Sequence, residues 1–127
     1  MIVLDASVLI GHFEASDAHH TAATALLKAH FAARFTASVI TLAEVYTGAA
    51  RAGKADELSR ALARLRIEGV DLPPDAARRL GELRAITKLK MPDCCVIYTA
   101  EHNDAMIATF DEQLADRAAA LGLTIAT

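Results

Sequence analysis

The chain has 127 residues, 54% of them hydrophobic, which suits one domain (1–127) built around one buried core. No apolar run reaches the roughly 18 to 20 residues of a membrane helix, and the N-terminus lacks the basic segment, apolar stretch and cleavage site of a secretory leader, so a cytoplasmic protein without membrane contact is expected. The formal net charge of -3 argues against a simple nucleic-acid binder.

Ile2 to Leu4 reads as a short strand. Ser7 is a candidate cap for a helix over "VLIGHFEA", which leaves Asp5 at the strand's C-terminal tip. From Ser16, "SDAHHTAATALLKAHFAA" favours helix, and "FTAS" is the second strand. "TLAEVYTGAARAG" reads as a helix closing near Gly53. "KADELSRALARLRIEG" sets Leu58, Leu62 and Leu65 on one face and Arg60 and Arg64 on another, which predicts an amphipathic helix ending at Gly69. "VDL" is a candidate strand. Pro73 and Pro74 mark the start of a helix running to about Thr87, and Pro92 with Asp93 opens another through "CCVIYTAEHN". "AMIATF" is then a strand, "DEQLADRAAALG" a helix closed by Gly122, and "LTIAT" a last strand. This alternation predicts a three-layer α/β/α sandwich around a mostly parallel sheet.

In such sheets, ligands bind beyond the carboxyl ends of the strands, where strand order reverses. Four acids fall there. Asp5 follows the first strand, Glu44 lies in the first turn of the helix after the second, Asp93 heads the Pro92 helix, and Asp111 follows the strand ending at Phe110. Three of them also have a local explanation. "TLAE" and "TFDE" match a capping box, in which the acid reaches back to the helix start, and Asp93 is an ordinary first-turn acid stabilised by the helix dipole. Asp5 has no such explanation, and an unpartnered carboxylate among apolar residues is costly. Four carboxylates gathered to about 5 Å at an effective dielectric near 20 repel by roughly 3 kcal/mol per ionised pair. A divalent cation relieves that repulsion, and an oxygen-only donor set suits Mg²⁺ or Mn²⁺ better than Zn²⁺.

Taken together, these segments resemble the PIN-domain family, in particular the small VapC-type toxins of bacterial toxin–antitoxin pairs. "MIVLDASVLI" is similar to the family's first strand with its Asp-x-Ser signature at Asp5 and Ser7, and "TLAEV" to the helix that carries its Glu, here Glu44. "MPDCCVIYTAEHN" resembles the Pro-Asp motif, with Asp93 as the acid, and "IATFDEQL" the final Thr-x-Asp, at Thr109 and Asp111. The resemblance implies a Mg²⁺- or Mn²⁺-dependent endoribonuclease that hydrolyses RNA phosphodiester bonds with metal-activated water. It also implies a homodimer and a small antitoxin that covers the acidic pocket. By the same resemblance Asp5, Glu44, Asp93 and Asp111 bind metal directly or through water and carry catalysis, with Glu112 a substitute for Asp111. Ser7 and Thr109 support them by hydrogen bonding.

Charge along the chain fits an RNA substrate better than the net value does. From Arg51 to Lys90 ten Lys and Arg face six acids, a local +4, and the rest of the chain carries -7. With aromatics at 5% and no Trp, phosphate and shape recognition through this basic stretch is expected ahead of base stacking. His19 and His20 are neighbours pointing about 100° apart on a helix, with no third ligand in range, and are expected at the surface. Cys94 and Cys95, adjacent within a helix, are poorly placed for a disulfide and are expected as small reduced apolar residues. Two rivals remain. An aspartyl-nucleophile phosphatase needs a second acid where Ser7 stands; a catalytically weak binding module would use its acidic pocket only to capture a basic antitoxin peptide.

Overall fold

Ile2, Val3 and Leu4 are all buried, and their side chains part by the two-residue period of a strand: Ile2 and Leu4 join one core, Val3 the other. The computed structural model covers all 127 residues and sets this strand, β1 (Ile2–Leu4), at the centre of a parallel sheet. Helices α1 (Ala6–Phe13) and α2 (His20–Ala29) precede β2 (Phe35–Ser38), and α3 (Val39–Arg51) and α4 (Ala55–Arg64) precede β3 (Glu68–Val70). Then come α5 (Ala76–Thr87), α6 (Met91–Asn103), β4 (Met106–Ala108) and α7 (Glu112–Ala120). The strand order is β3-β2-β1-β4. The chain moves outward from β1 through β2 to β3 and then returns to β1's other flank, so the order reverses between β1 and β4.

The first core packs Val8, Leu9, Leu26, Leu27, Val45, Leu58 and Leu62 from α1 to α4 under Ile2, Leu4, Phe35 and Ala37. On the opposite face Val3 and Ile107 meet Leu83, Val96, Ile97 and Leu114 from α5, α6 and α7. This is the expected three-layer α/β/α sandwich. Truncating a fully buried leucine such as Leu9 or Leu83 to Ala would cost about 2–5 kcal/mol. No helix is long and apolar enough to cross a membrane.

Several local expectations shift. Helix α4 stops at Arg64, five residues before Gly69, because Arg66 takes the left-handed turn (φ 55°) and Gly69 continues into β3. The strand expected at "VDL" lies earlier, at Glu68–Val70. Helix α3 starts at Val39, capped by Ser38, whose Oγ accepts from the Ile40 amide at 3.2 Å. The expected last strand shrinks to one bridge, Ile125 to Ile107. Gly11 lets α1 and α2 approach closely, since a Cβ there would sit 3.3 Å from those of Ala23 and His19.

Candidate active site

Asp5 is fixed at the rim by both its main chain and its side chain. Its amide donates to the Ala108 carbonyl at 3.0 Å, and its own carbonyl accepts from Val8 and Leu9, which opens α1. The carboxylate takes no part in capping. Oδ2 instead accepts from Ser7 Oγ at 2.8 Å and Thr109 Oγ1 at 2.7 Å. Ser7 is therefore a brace and not the helix cap its position suggested. The brace extends across the switch point: Ser7 Oγ accepts from the Phe110 amide and Thr109 Oγ1 from the Asp111 amide, each at 3.0 Å. Both Asp5 bonds fall on Oδ2, while Oδ1 has no protein partner and is not among the buried unpartnered atoms. One oxygen is used for positioning, and the other opens on the cup.

Glu44 lies in the second turn of α3, since that helix begins earlier than expected. The capping box at "TLAE" does not form: Ser38 is the cap, and Thr41 Oγ1 is buried without a hydrogen-bond partner. The Glu44 side chain makes no hydrogen bond or ion pair with the rest of the chain. Desolvation first, then the charge of Asp5, raises its pKa, against a lowering by Lys90.

Asp93 stands in the first turn of α6 beside Pro92. A helix N-terminus favours a carboxylate, yet this carboxyl is pushed up to about 6, by burial above all and then by the charges of Asp5, Asp111 and Glu44, with Lys90 opposing. Burial and like charge thus outweigh the lysine. Asp111 is itself the N-cap of α7, its Oδ1 accepting from the Leu114 amide at 3.1 Å, so the capping box expected at "TFDE" does not form. Glu112 follows, exposed, in the first helical turn.

The fold therefore brings Asp5, Glu44, Asp93 and Asp111 into one electrostatic neighbourhood from four separate elements. They do not close on a single point, and no three His, Cys, Asp or Glu side chains approach closely enough to enclose an ion. The donor chemistry fits a hard cation such as Mg²⁺, which keeps much of its water and needs only one or two carboxylates.

Sequence reading missed two neighbours of the cup. Lys90, read only as the end of a basic stretch, is the cation facing both Glu44 and Asp93; its place at the N-cap of α6, three residues before Asp93, was the available signal. Phe110 carries the His19 ring stacked on it, with centroids 4.7 Å apart and planes at 9°. His20 bonds the Gly11 carbonyl through Nδ1 and is partly buried, so only His19 of the pair is at the surface. Within the basic stretch, Arg79 is tied to Glu101, Arg78 to Glu82, and Arg84 to the Leu89 carbonyl. Cys94 and Cys95 are both buried and free.

The chain matches the PIN domain family over residues 2–120. Among solved structures it is similar to a toxin–antitoxin complex from Klebsiella pneumoniae, with 26% identity, a TM-score of 0.72 and coverage of 86% of this chain and 85% of that one. It is also similar to VapC20 of Mycobacterium tuberculosis, a toxin that cleaves the sarcin–ricin loop (18% identity, TM-score 0.76, coverage 91% and 94%). A third likeness is to FitAcB from Neisseria gonorrhoeae (21% identity, TM-score 0.75, coverage 100% and 97%). None of the curated proteins compared with the chain matches it.

Proposed function

Because the chain belongs to the PIN domain family, we propose that it is a divalent-cation-dependent endoribonuclease and the toxin of a toxin–antitoxin pair. The observation that carries this reading is the state of Asp93, whose carboxyl is lifted to about 6 by burial and by three further acids. A cluster that expensive for a metal-free protein is one a cation stabilises. Asp5 through its open Oδ1, with Glu44, Asp93 and Asp111, would hold Mg²⁺ or Mn²⁺. When bound, that cation offsets phosphate charge and lowers the pKa of water.

The chain's own groups have separate tasks. Ser7 and Thr109 hold the Asp5 carboxylate in one orientation, which limits the reorganisation needed when substrate arrives. Lys90 draws the phosphate backbone toward an otherwise negative rim. Similarity to a toxin–antitoxin complex from Klebsiella pneumoniae and to the toxin VapC20 supports a small antitoxin as the cellular partner.

Cutting of total RNA by the purified protein with Mg²⁺ or Mn²⁺, compared with EDTA and with Asp5→Asn, tests the activity. Cleavage that needs the cation and Asp5 is expected. A second reading, a binding module that captures a basic antitoxin peptide with little or no catalysis, draws support from the openness of the acid cup. Intact RNA under all these conditions, with tight binding of a basic peptide, would favour it.

A further inference from the structure

The larger of the two main cavities lies at the end of the sheet opposite the acid cup. It has a volume of about 770 Å³. Arg34 immediately precedes β2, and Arg66 and Glu68 stand at the entry to β3, so in a parallel sheet they mark the amino-terminal edge, whereas Asp5 follows the carboxyl end of β1. Four cations line this cavity, Lys28, Arg34, Arg64 and Arg66, against one acid, Glu68, which is already bonded to Arg34 at 3.0 Å. On a chain whose net charge is -3 this is a concentrated positive site. At its wall stands Phe31, 79% exposed, the most exposed large hydrophobic side chain in the protein.

Arg66 adds an independent observation. Helices α3, α4, α6 and α7 end in the same way, with an amide just past the helix bonded five residues back: Lys54 to Ala49, Ile67 to Leu62, Ala105 to Ala100, and Leu123 to Ala118. The left-handed residue of that turn is Gly53 in α3 and Gly122 in α7, but Arg66 in α4 and Asp104 in α6, and Lys88 closes α5 in the same backbone region. Glycine is the low-cost residue there, so α4 carries an arginine against backbone preference where its side chain lines the basic cavity. Arg64 also lines the second groove, about 530 Å³ in volume, which extends to Glu44. The two ends of the molecule are thus joined along α4.

We propose that this cavity is a second, non-catalytic binding site for single-stranded RNA, in which Lys28, Arg34, Arg64 and Arg66 hold phosphates and Phe31 stacks a base. It rests on the ribonuclease reading for its choice of RNA. A positive groove with an aromatic platform is the general solution for binding single strands without sequence preference, and a distant basic site gives affinity that a rim of carboxylates cannot.

The test is fluorescence anisotropy of a labelled, unstructured RNA oligonucleotide with the full chain in EDTA, beside cleavage of total RNA with Mg²⁺. Phe31→Ala is expected to weaken binding about tenfold. Arg66→Gly is expected to lower the salt slope of log K by about 0.7 while raising Tm, which a merely structural arginine would not do. Asp5→Asn should still bind. If these effects occur but wild type cuts no RNA, the ribonuclease reading falls and the binding site stands. Wild-type affinity in both Phe31→Ala and Arg66→Gly overturns the proposal. So does the absence of RNA binding by wild type, or competition by AMP as effective per mole as the oligonucleotide.

Discussion

Thr109 Oγ1 donates to Asp5 Oδ2 at 2.7 Å, joining residues 104 positions apart across the point where the strand order reverses. The same oxygen accepts from the Asp111 amide. One hydroxyl therefore sets the position of two of the four acids. Thr109→Val, nearly the same shape, leaves the Asp111 amide and the buried Asp5 carboxylate each short of a partner and should destabilise the protein by about 1–3 kcal/mol. Thr109→Ser should recover most of it. Urea unfolding of the three proteins checks both expectations, and Mg²⁺ titration should show weaker binding in the valine variant.

Asp5→Asn keeps a carbonyl oxygen for the two hydroxyls and removes one charge from the cup. RNA cleavage should vanish, and Tm in EDTA should rise by about 4 °C, corresponding to about 1 kcal/mol of relieved repulsion. Asp5→Ala strands both hydroxyls and should melt below wild type. A lower Tm for the asparagine variant in EDTA would show that repulsion is not what the cup carries.

The raised pKa of Asp93 fixes the sign of a pH effect. Its folded value of about 6 lies above the ordinary 3.8, so the protonated form favours the fold. That contribution is complete below about pH 4 and is lost as pH rises through 6. Glu44 shifts in the same direction. In EDTA, the stability difference between wild type and Asp93→Asn should grow from pH 5 to pH 7.5, with the variant more stable at the higher pH. Saturating Mg²⁺ should shrink it. Paired thermal melts at the two pH values give the comparison.

Lys90 lowers the pKa of both Glu44 and Asp93. Lys90→Met should raise both, and NMR titration of the side-chain carboxyls in EDTA would follow it directly. The same variant should bind RNA more weakly, with a shallower salt dependence.

Burial raises the thiol pKa of Cys94 and of Cys95. Neither should react with Ellman's reagent in the folded protein, and both should react in denaturant. Rapid labelling of the native chain would contradict the packing of α6.

Much of this was legible from the order of elements. Alternation of strands and helices gave the parallel sheet, and Asp5 at the tip of an apolar run had no local use, which singled it out. Asp93 followed a proline that marks a helix start. Where the reading failed, a nearer residue took the local role. Ser38 capped α3 in place of Thr41, which freed Glu44 from a capping box. Arg66 took the left-handed position that Gly69 was expected to fill. Lys90 was passed over although it lies three residues before Asp93, and Phe110 was invisible as a neighbour of the cup because its role depends on where the end of β4 lies in space. The openness of the acid cup was equally hidden, since spacing along a chain carries no distances.

Three residues of β1 divide the molecule's interior, with Ile2 and Leu4 facing one core and Val3 the other. Because that period is two, adding or deleting a single residue within β1 would exchange which of its side chains enter the two cores and swing the carboxylate off the rim in the same move. The length of the strand is thereby locked to the chemistry at its tip: this segment can tolerate changes of identity, Ile for Val or Leu for Met, but none of count.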